Sequence, residues 1–264
     1  MITLVGDTEI AFDDIGSGFP VVFLHAFPLN RTMWEPQVSA LVGEFRCITI
    51  DMRGFGGSAG SPPYSMDRYA DDVAAVLDTL GIERAVITGL SMGGYIAFAM
   101  WRRHRARVRA LVLADTRAGA DTVEGAERRR SLIELAETQG PTAVANQQIA
   151  GLVGKTTRDK RPDIYDAMHR MMAQAEVAGI VGALEAMMDR PDSTPTLATI
   201  DAPTLVVVGG EDVITPVADA KALHAGISGS RLEVLRQAGH LSNVERPAAF
   251  NTVMSEFLAS LLYN

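Results

Sequence analysis

The chain has one cysteine, Cys47, in 264 residues, so no disulfide can form within it. Cys47 lies in the run Cys47-Ile48-Thr49-Ile50 and is expected to be a buried core thiol. No pair of histidines or cysteines has metal-ligand spacing, so neither a metal site nor a metal cofactor is expected. No apolar run approaches the roughly 20 residues that span a bilayer. The N-terminal residues 1–10 lack a basic segment followed by an apolar one, so no secretory signal is visible. An excess of positive charge is absent as well. Twenty-four Lys and Arg stand against 32 Asp and Glu, a net charge of −8, which argues against nucleic acid or an anionic membrane as a main partner. A cytoplasmic, soluble protein is expected, and the sequence does not set an oligomeric state.

What is present centres on Arg84 to His104. Ala85 to Thr88 is a short apolar run containing Val86 and Ile87, which predicts a buried strand. Gly93 to Trp101 is small and apolar and then turns basic at Arg102, Arg103 and His104, as a helix with cations at its C-terminal end would. Between them stands Gly89-Leu90-Ser91-Met92-Gly93, a G-x-S-x-G pattern. A strand that turns this sharply into a helix needs glycine on both sides of the apex, because the chain passes too close to itself for a Cβ. Ser91 at the apex is then strained and exposed near a helix N-terminus. The N–H of Met92 is free to stabilise an oxyanion.

Upstream, Ile2 to Val5 and Glu9 to Asp13 flank Gly6-Asp7 and read as a hairpin. Val21 to Leu24 is a third strand running into His25-Ala26-Phe27-Pro28. A loop there, ahead of a helix over 33–42, would offer a second oxyanion donor, the N–H of Phe27. His25 is expected to prop that loop rather than to react. Cys47 to Asp51 is the next strand. Asp51-Met52-Arg53-Gly54-Phe55-Gly56-Gly57-Ser58 lacks the G-K-[ST] of a phosphate loop and reads as a tight structural turn held by Asp51 and Arg53. Ser65 caps a helix with Tyr69, Val73, Val76, Leu77 and Leu80 on one face, ended by Gly81. Val108 to Ala114 is another strand. Strands alternating with helices predict βαβ units and a mostly parallel sheet.

Residues 117–199 break this alternation with helical periodicity alone. Leu132, Leu135 and Ala136 form one face, Met168, Met171, Met172 and Ala175 another, and Val177, Val181, Leu184 and Met188 a third. The division expected is a core of residues 1–116 and 200–264 with a helical cap of 117–199 over the ligand crevice. Each methionine in it is expected to pack the cap onto the core, and Arg128-Arg129-Arg130 to be a solvated helix face. Arg158, Lys160 and Arg170 could meet a substrate carboxylate, but surface exposure accounts for them equally.

Thr204 to Val208 resumes the sheet, followed by Gly209-Gly210-Glu211-Asp212. A carboxylate just past a central strand is placed to orient a histidine. Asp212 is the first candidate, Glu211 the second and Asp115 a weaker third. Arg231 to Leu235 is the last strand. His240 in the following loop suits an exposed catalytic histidine better than a core one. His104, His169 and His224 stand in helices and are not expected to react. Pro247 starts a C-terminal helix with Phe250, Val253, Met254, Phe257, Leu258 and Leu261 as its stripe.

Ser91, Asp212 and His240, in that chain order and each after a strand, resemble the α/β-hydrolase family over nearly the whole chain. Residues 25–28 (HAFP), 51–58 (DMRGFGGS), 91–94 (SMGG), 209–216 (GGEDVITP) and 238–247 (AGHLSNVERP) carry the likeness. It is similar to the branch of 3-oxoadipate enol-lactonases, small carboxylesterases and cofactor-free haloperoxidases. The resemblance implies an eight-stranded, mostly parallel sheet with a helical cap inserted between late strands. It implies that Ser91 attacks an acyl carbon, that His240 relays the proton and that Asp212 holds the imidazole. Phe27 and Met92 would supply the oxyanion hole, without a cofactor. The activity implied is hydrolysis of a small carboxylic ester or lactone, with perhydrolysis, carbon–carbon cleavage or ligand sensing as alternatives on the same triad. Many relatives carry glycine where Ala26 stands, and alanine fits only if its φ is negative.

Overall fold

A computed structural model describes residues 1–6 and 8–262. The runs rich in β-branched residues form eight strands: β1 (Ile2–Val5), β2 (Thr8–Ile15), β3 (Phe19–Leu24), β4 (Phe45–Ile50), β5 (Ala85–Leu90), β6 (Val108–Ala114), β7 (Thr204–Gly209) and β8 (Arg231–Leu235). They build one sheet in the order β1-β2-β4-β3-β5-β6-β7-β8. The pairs β1/β2 and β2/β4 are antiparallel, and every other neighbour is parallel. Of the expected Gly6-Asp7 turn, Asp7 lies outside the described residues, while Val5 and Thr8 pair across it.

Every residue of β5 and β7 is buried, because helices cover both faces, which is why these strands are apolar without alternation. Alternate residues feed opposite cores. Val22 and Leu24 join Tyr69, Val73 and Leu77 in one apolar cluster, whereas Val21 and Phe23 join Trp34, Phe250 and Met254 in the other. Outside the long β6–β7 connection the helices are α1 (Glu35–Leu41), α2 (Met66–Thr79) and α3 (Met92–His104). Ser65 accepts the N–H of Arg68 at 3.0 Å and so caps α2 as expected. The expected 33–42 helix is split, since residues 31–34 form a 3-10 turn before α1.

Between β6 and β7 lie α4 (Val123–Gln139), α5 (Pro141–Leu152), α6 (Lys155–Lys160), α7 (Pro162–Ala173), α8 (Val177–Met188) and α9 (Thr194–Leu197). The chain then forms α10 (Val217–Gly226), α11 (Ser242–Glu245) and α12 (Pro247–Ser260). Met168 and Met172 of α7 are buried against Ile149 and Leu152 of α5. The buried face of α8 differs from the one expected. Ile180, Ala183, Leu184 and Met187 point inward, and Val177, Val181 and Met188 are only half-buried. That helix is apolar nearly all round, so its period could not select a face. No single described helix is long and apolar enough to cross a membrane, and α7 and α8 together reach that only with a 97° bend between them.

Candidate active site

The turn from β5 into α3 is drawn tight by its glycines. A methyl group on Gly89 would sit 2.1 Å from the carbonyl oxygen of Gly93, and one on Gly93 would sit 2.2 Å from that of Leu24, the last residue of β3. Neither position tolerates a Cβ. Ser91 between them has φ 55° and ψ −112°, a strained backbone for a residue with a side chain. The strain is held from outside the turn. Ser91 N–H donates to the Ala114 carbonyl at 3.0 Å, and Thr116 Oγ1 donates to the Ser91 carbonyl at 2.9 Å. The hydroxyl itself is half-exposed and makes no hydrogen bond among the described residues.

Because Gly93 abuts Leu24, the start of α3 lies against the loop leaving β3. Neither the Phe27 nor the Met92 N–H is used in a hydrogen bond among the described residues. Ala26 is not among the described non-glycine residues with positive φ, so alanine is accommodated there. His25 props this loop, as expected. Its Nδ1–H donates to the Ala26 carbonyl at 2.9 Å and its Nε2 accepts the Met52 N–H at 3.0 Å. Burial pulls its pKa below the ordinary value, against a smaller upward pull from Asp51. Asp51 is buried and accepts the N–H groups of Arg31 and Gly57, each at 2.7 Å, while Arg53 forks onto Asp72 at 2.7 and 2.6 Å. The loop over 51–58 is structural, as expected.

At the ends of β7 and β8, Asp212 and His240 are brought together. His240 Nδ1 lies 2.8 Å from Asp212 Oδ2. Ile214 N–H and Thr215 N–H both donate to Asp212 Oδ1, at 2.8 and 3.0 Å. Thr215 Oγ1 donates to Asp212 Oδ2 at 2.7 Å, so at 3.1 Å from His240 Nδ1 it can only accept. A proton on Nδ1 would therefore be shared between carboxylate and hydroxyl, and both contacts use Nδ1 rather than Nε2. Burial pushes the Asp212 carboxyl up, but the charge of His240 and the bonds from His240 and Thr215 outweigh it, and the group sits below the usual carboxylate range.

His240 is not exposed, contrary to the expectation from its loop. It is 1% accessible, because its own N–H donates to the Leu152 carbonyl at 3.0 Å at the end of α5. Glu211 does not reach the histidine. It accepts the N–H of Thr156 at 2.7 Å and also the Thr156 hydroxyl. Asp115 is spent elsewhere too, accepting the Gly209 N–H at 2.7 Å and the Ser242 hydroxyl. Burial, and then the nearby charge of Asp212, hold its carboxyl well above the ordinary range.

Two supporting residues escaped sequence reasoning. Thr215 stands three residues past Asp212, a spacing that a local side chain-to-backbone turn could have suggested. Glu245 is buried and accepts the N–H groups of Gly239 at 2.9 Å, Leu241 at 3.2 Å and Gly154 at 2.9 Å. Nothing local signals that role, since Gly154 is 91 residues away. Of the cations considered for substrate, Arg158 donates to the Val153 carbonyl at 2.8 Å. Lys160 and Arg170 are exposed. Burial pushes the Cys47 thiol up to about 12, which makes it inert as a nucleophile.

The model of the alpha/beta hydrolase fold matches residues 20–247. An AB hydrolase superfamily protein, YisY, from Bacillus subtilis is 35% identical, with 93% of each chain covered. A 3-oxoadipate enol-lactonase from Acinetobacter baylyi is 32% identical over 88% of this chain and 85% of its own. Among solved structures, a thermophilic esterase from Thermogutta terrifontis, in a malate-bound form, superposes with a TM-score of 0.94 at 39% identity, covering 96% of this chain and 94% of that one. With an eight-stranded, mostly parallel sheet and a family match over most of its length, the chain belongs to the α/β hydrolase family.

Proposed function

We propose that the protein is a serine hydrolase that cleaves small carboxylic esters or lactones through an acyl-enzyme. The observation that carries this reading is the strained Ser91, its hydroxyl unengaged, in a family fold in which the loops after β7 and β8 carry the hydrogen-bonded Asp212–His240 pair. In this reading Ser91 Oγ attacks the acyl carbon while His240 Nε2 takes its proton. Asp212 stabilises the imidazolium through Nδ1, and the carbonyl oxygen becomes an oxyanion held by the Phe27 and Met92 N–H groups. The proton on Nε2 passes to the leaving alkoxide. Water then attacks the acyl carbon with His240 again as base, which returns Ser91 and releases the acid. Residues 117–199 act as a cap over the crevice, no cofactor takes part, and the site is cytoplasmic. Esterase and enol-lactonase relatives support the substrate class.

The test is hydrolysis of p-nitrophenyl esters of increasing chain length, and of a lactone panel, by the wild type and Ser91→Ala. Hydrolysis that falls by about 10⁴-fold or more in the variant supports the reading. Folded wild type that leaves every ester and lactone intact sinks it and moves perhydrolysis, carbon–carbon cleavage and ligand sensing forward.

A further inference from the structure

A cavity of about 730 Å³ opens between α4, the end of α5 and the loop after Asp212. Its wall carries Arg117, Arg128, Arg129, Asp121, Gln147 and Gln148. Val213 and Ile214 close one side, and none of Ser91, Asp212, His240, Phe27 or Met92 lines it. In a chain with a net charge of −8, this wall is cationic. Asp121 is already claimed by Arg129 and, at 2.8 Å, by Arg190. Arg117 donates to the Ile214 carbonyl, yet its Nε is buried without a hydrogen bond. The nearest carboxylate, Asp219, is 3.7 Å from that nitrogen, and its Oδ2 is likewise buried with no hydrogen-bond partner. Arg128 is exposed and makes no hydrogen bond or ion pair among the described residues. Four guanidinium groups (Arg117, Arg128, Arg129, Arg190) against two carboxylates (Asp121, Asp219) leave a surplus of two positive charges. Glu124, whose exposed carboxylate feels Arg128, lowers that surplus without cancelling it.

We propose that this cavity is a second ligand site, for a small dicarboxylate, separate from the nucleophile. Guanidinium forks match carboxylates in planar, two-point fashion. Among the described residues Arg128 is unpaired, and Arg117, whose Nε faces Asp219 and whose Nη2 bonds the Ile214 carbonyl, keeps Nη1 without a hydrogen bond, so each can take one carboxylate. The paired glutamine amides offer donors and acceptors to whatever lies between the two acids. The volume holds an organic acid rather than a single inorganic ion.

Isothermal titration of the full chain with succinate tests this, beside inorganic phosphate and with Ser91 capped by phenylmethylsulfonyl fluoride. Succinate is expected to bind at one site, unchanged when Ser91 is capped. Arg128→Gln and Arg117→Gln are each expected to raise Kd by about tenfold or more, as loss of a charge-assisted contact would. Arg130→Gln, two positions along the same helix from Arg128 and outside the cavity, should leave Kd within about twofold. The proposal is overturned if no saturable binding occurs, if phosphate binds in place of succinate, or if capping Ser91 abolishes binding. Equal weakening by Arg128→Gln and Arg130→Gln would also overturn it, because it would mean diffuse attraction. Arg128 is exposed, so its variant reads binding without a question of folding.

Discussion

Glu245 holds His240 from both sides: one carboxylate oxygen accepts the N–H groups of Gly239 and Leu241, the residues flanking the histidine. Its other oxygen accepts Gly154 N–H. A glutamine there keeps the shape but turns an amide NH₂ toward backbone donors. Glu245→Gln is expected to cost about 1–3 kcal/mol of stability and to lower kcat for ester hydrolysis about tenfold with KM little changed. Thermal melts and steady-state kinetics check both. A stable variant with wild-type kcat would show that the loop holds without the carboxylate.

Thr215→Val removes the hydroxyl that donates to Asp212 and accepts from His240 Nδ1. The Asp212 carboxylate loses one of the bonds that hold it below the usual carboxylate range, and the imidazole loses one of two acceptors. The expected result is a kcat lowered about three- to tenfold with KM little changed. Thr215→Ser should restore kcat. A serine variant as slow as the valine one would mean that Thr215 acts on packing alone.

Gly93→Ala would force a methyl group against the Leu24 carbonyl. Overpacking of this kind costs about 1–3 kcal/mol, and relief would have to displace Met92 or the loop after β3. Stability and kcat are expected to fall together. Gly43→Ala, where a methyl group meets nothing within 4 Å, is the matched control and should leave both near wild type.

Asp115 makes the pH dependence of stability readable. Its folded pKa lies well above the ordinary value, chiefly through burial. The stability it contributes is whole below about pH 4 and is lost as pH rises through the folded value. Asp212 works the other way, with stability present above about pH 4 and lost as pH falls through its depressed value. Asn tolerates the positive φ of 44° at position 115. Asp115→Asn is therefore expected to gain Tm on the wild type progressively as pH rises, and parallel Tm–pH curves would contradict the assignment.

The legible parts of the molecule were those whose causes are local. Gly89 and Ser91 announce their turn because Gly89 closes on Gly93 within four residues, although Gly93 itself abuts Leu24 far upstream. Asp212 was readable because it follows an apolar strand that could only be central. What escaped reading depends on partners far along the chain. His240 was expected to be exposed because nothing near it covers it; Leu152 and Gly154 do so from almost ninety residues upstream. Arg128 and Arg129 looked alike on their helix, yet Asp121 folds back onto one and leaves the other free at the cavity wall. The face of α8 was lost for a different reason, since a helix apolar all round has no period to read.

The stretch from Leu152 to Thr156 touches the two loops at the ends of β7 and β8 at once. It accepts the His240 N–H, donates to Glu245 and donates to Glu211 beside Asp212. It packs so closely that a methyl group on Gly154 would sit 2.6 Å from the Gly239 nitrogen. For protein engineering this ties five residues of the inter-strand segment mechanically to the Asp212–His240 pair. A chimera that exchanges the helices between β6 and β7 should splice around this stretch, because replacing it would unseat both members of the pair together.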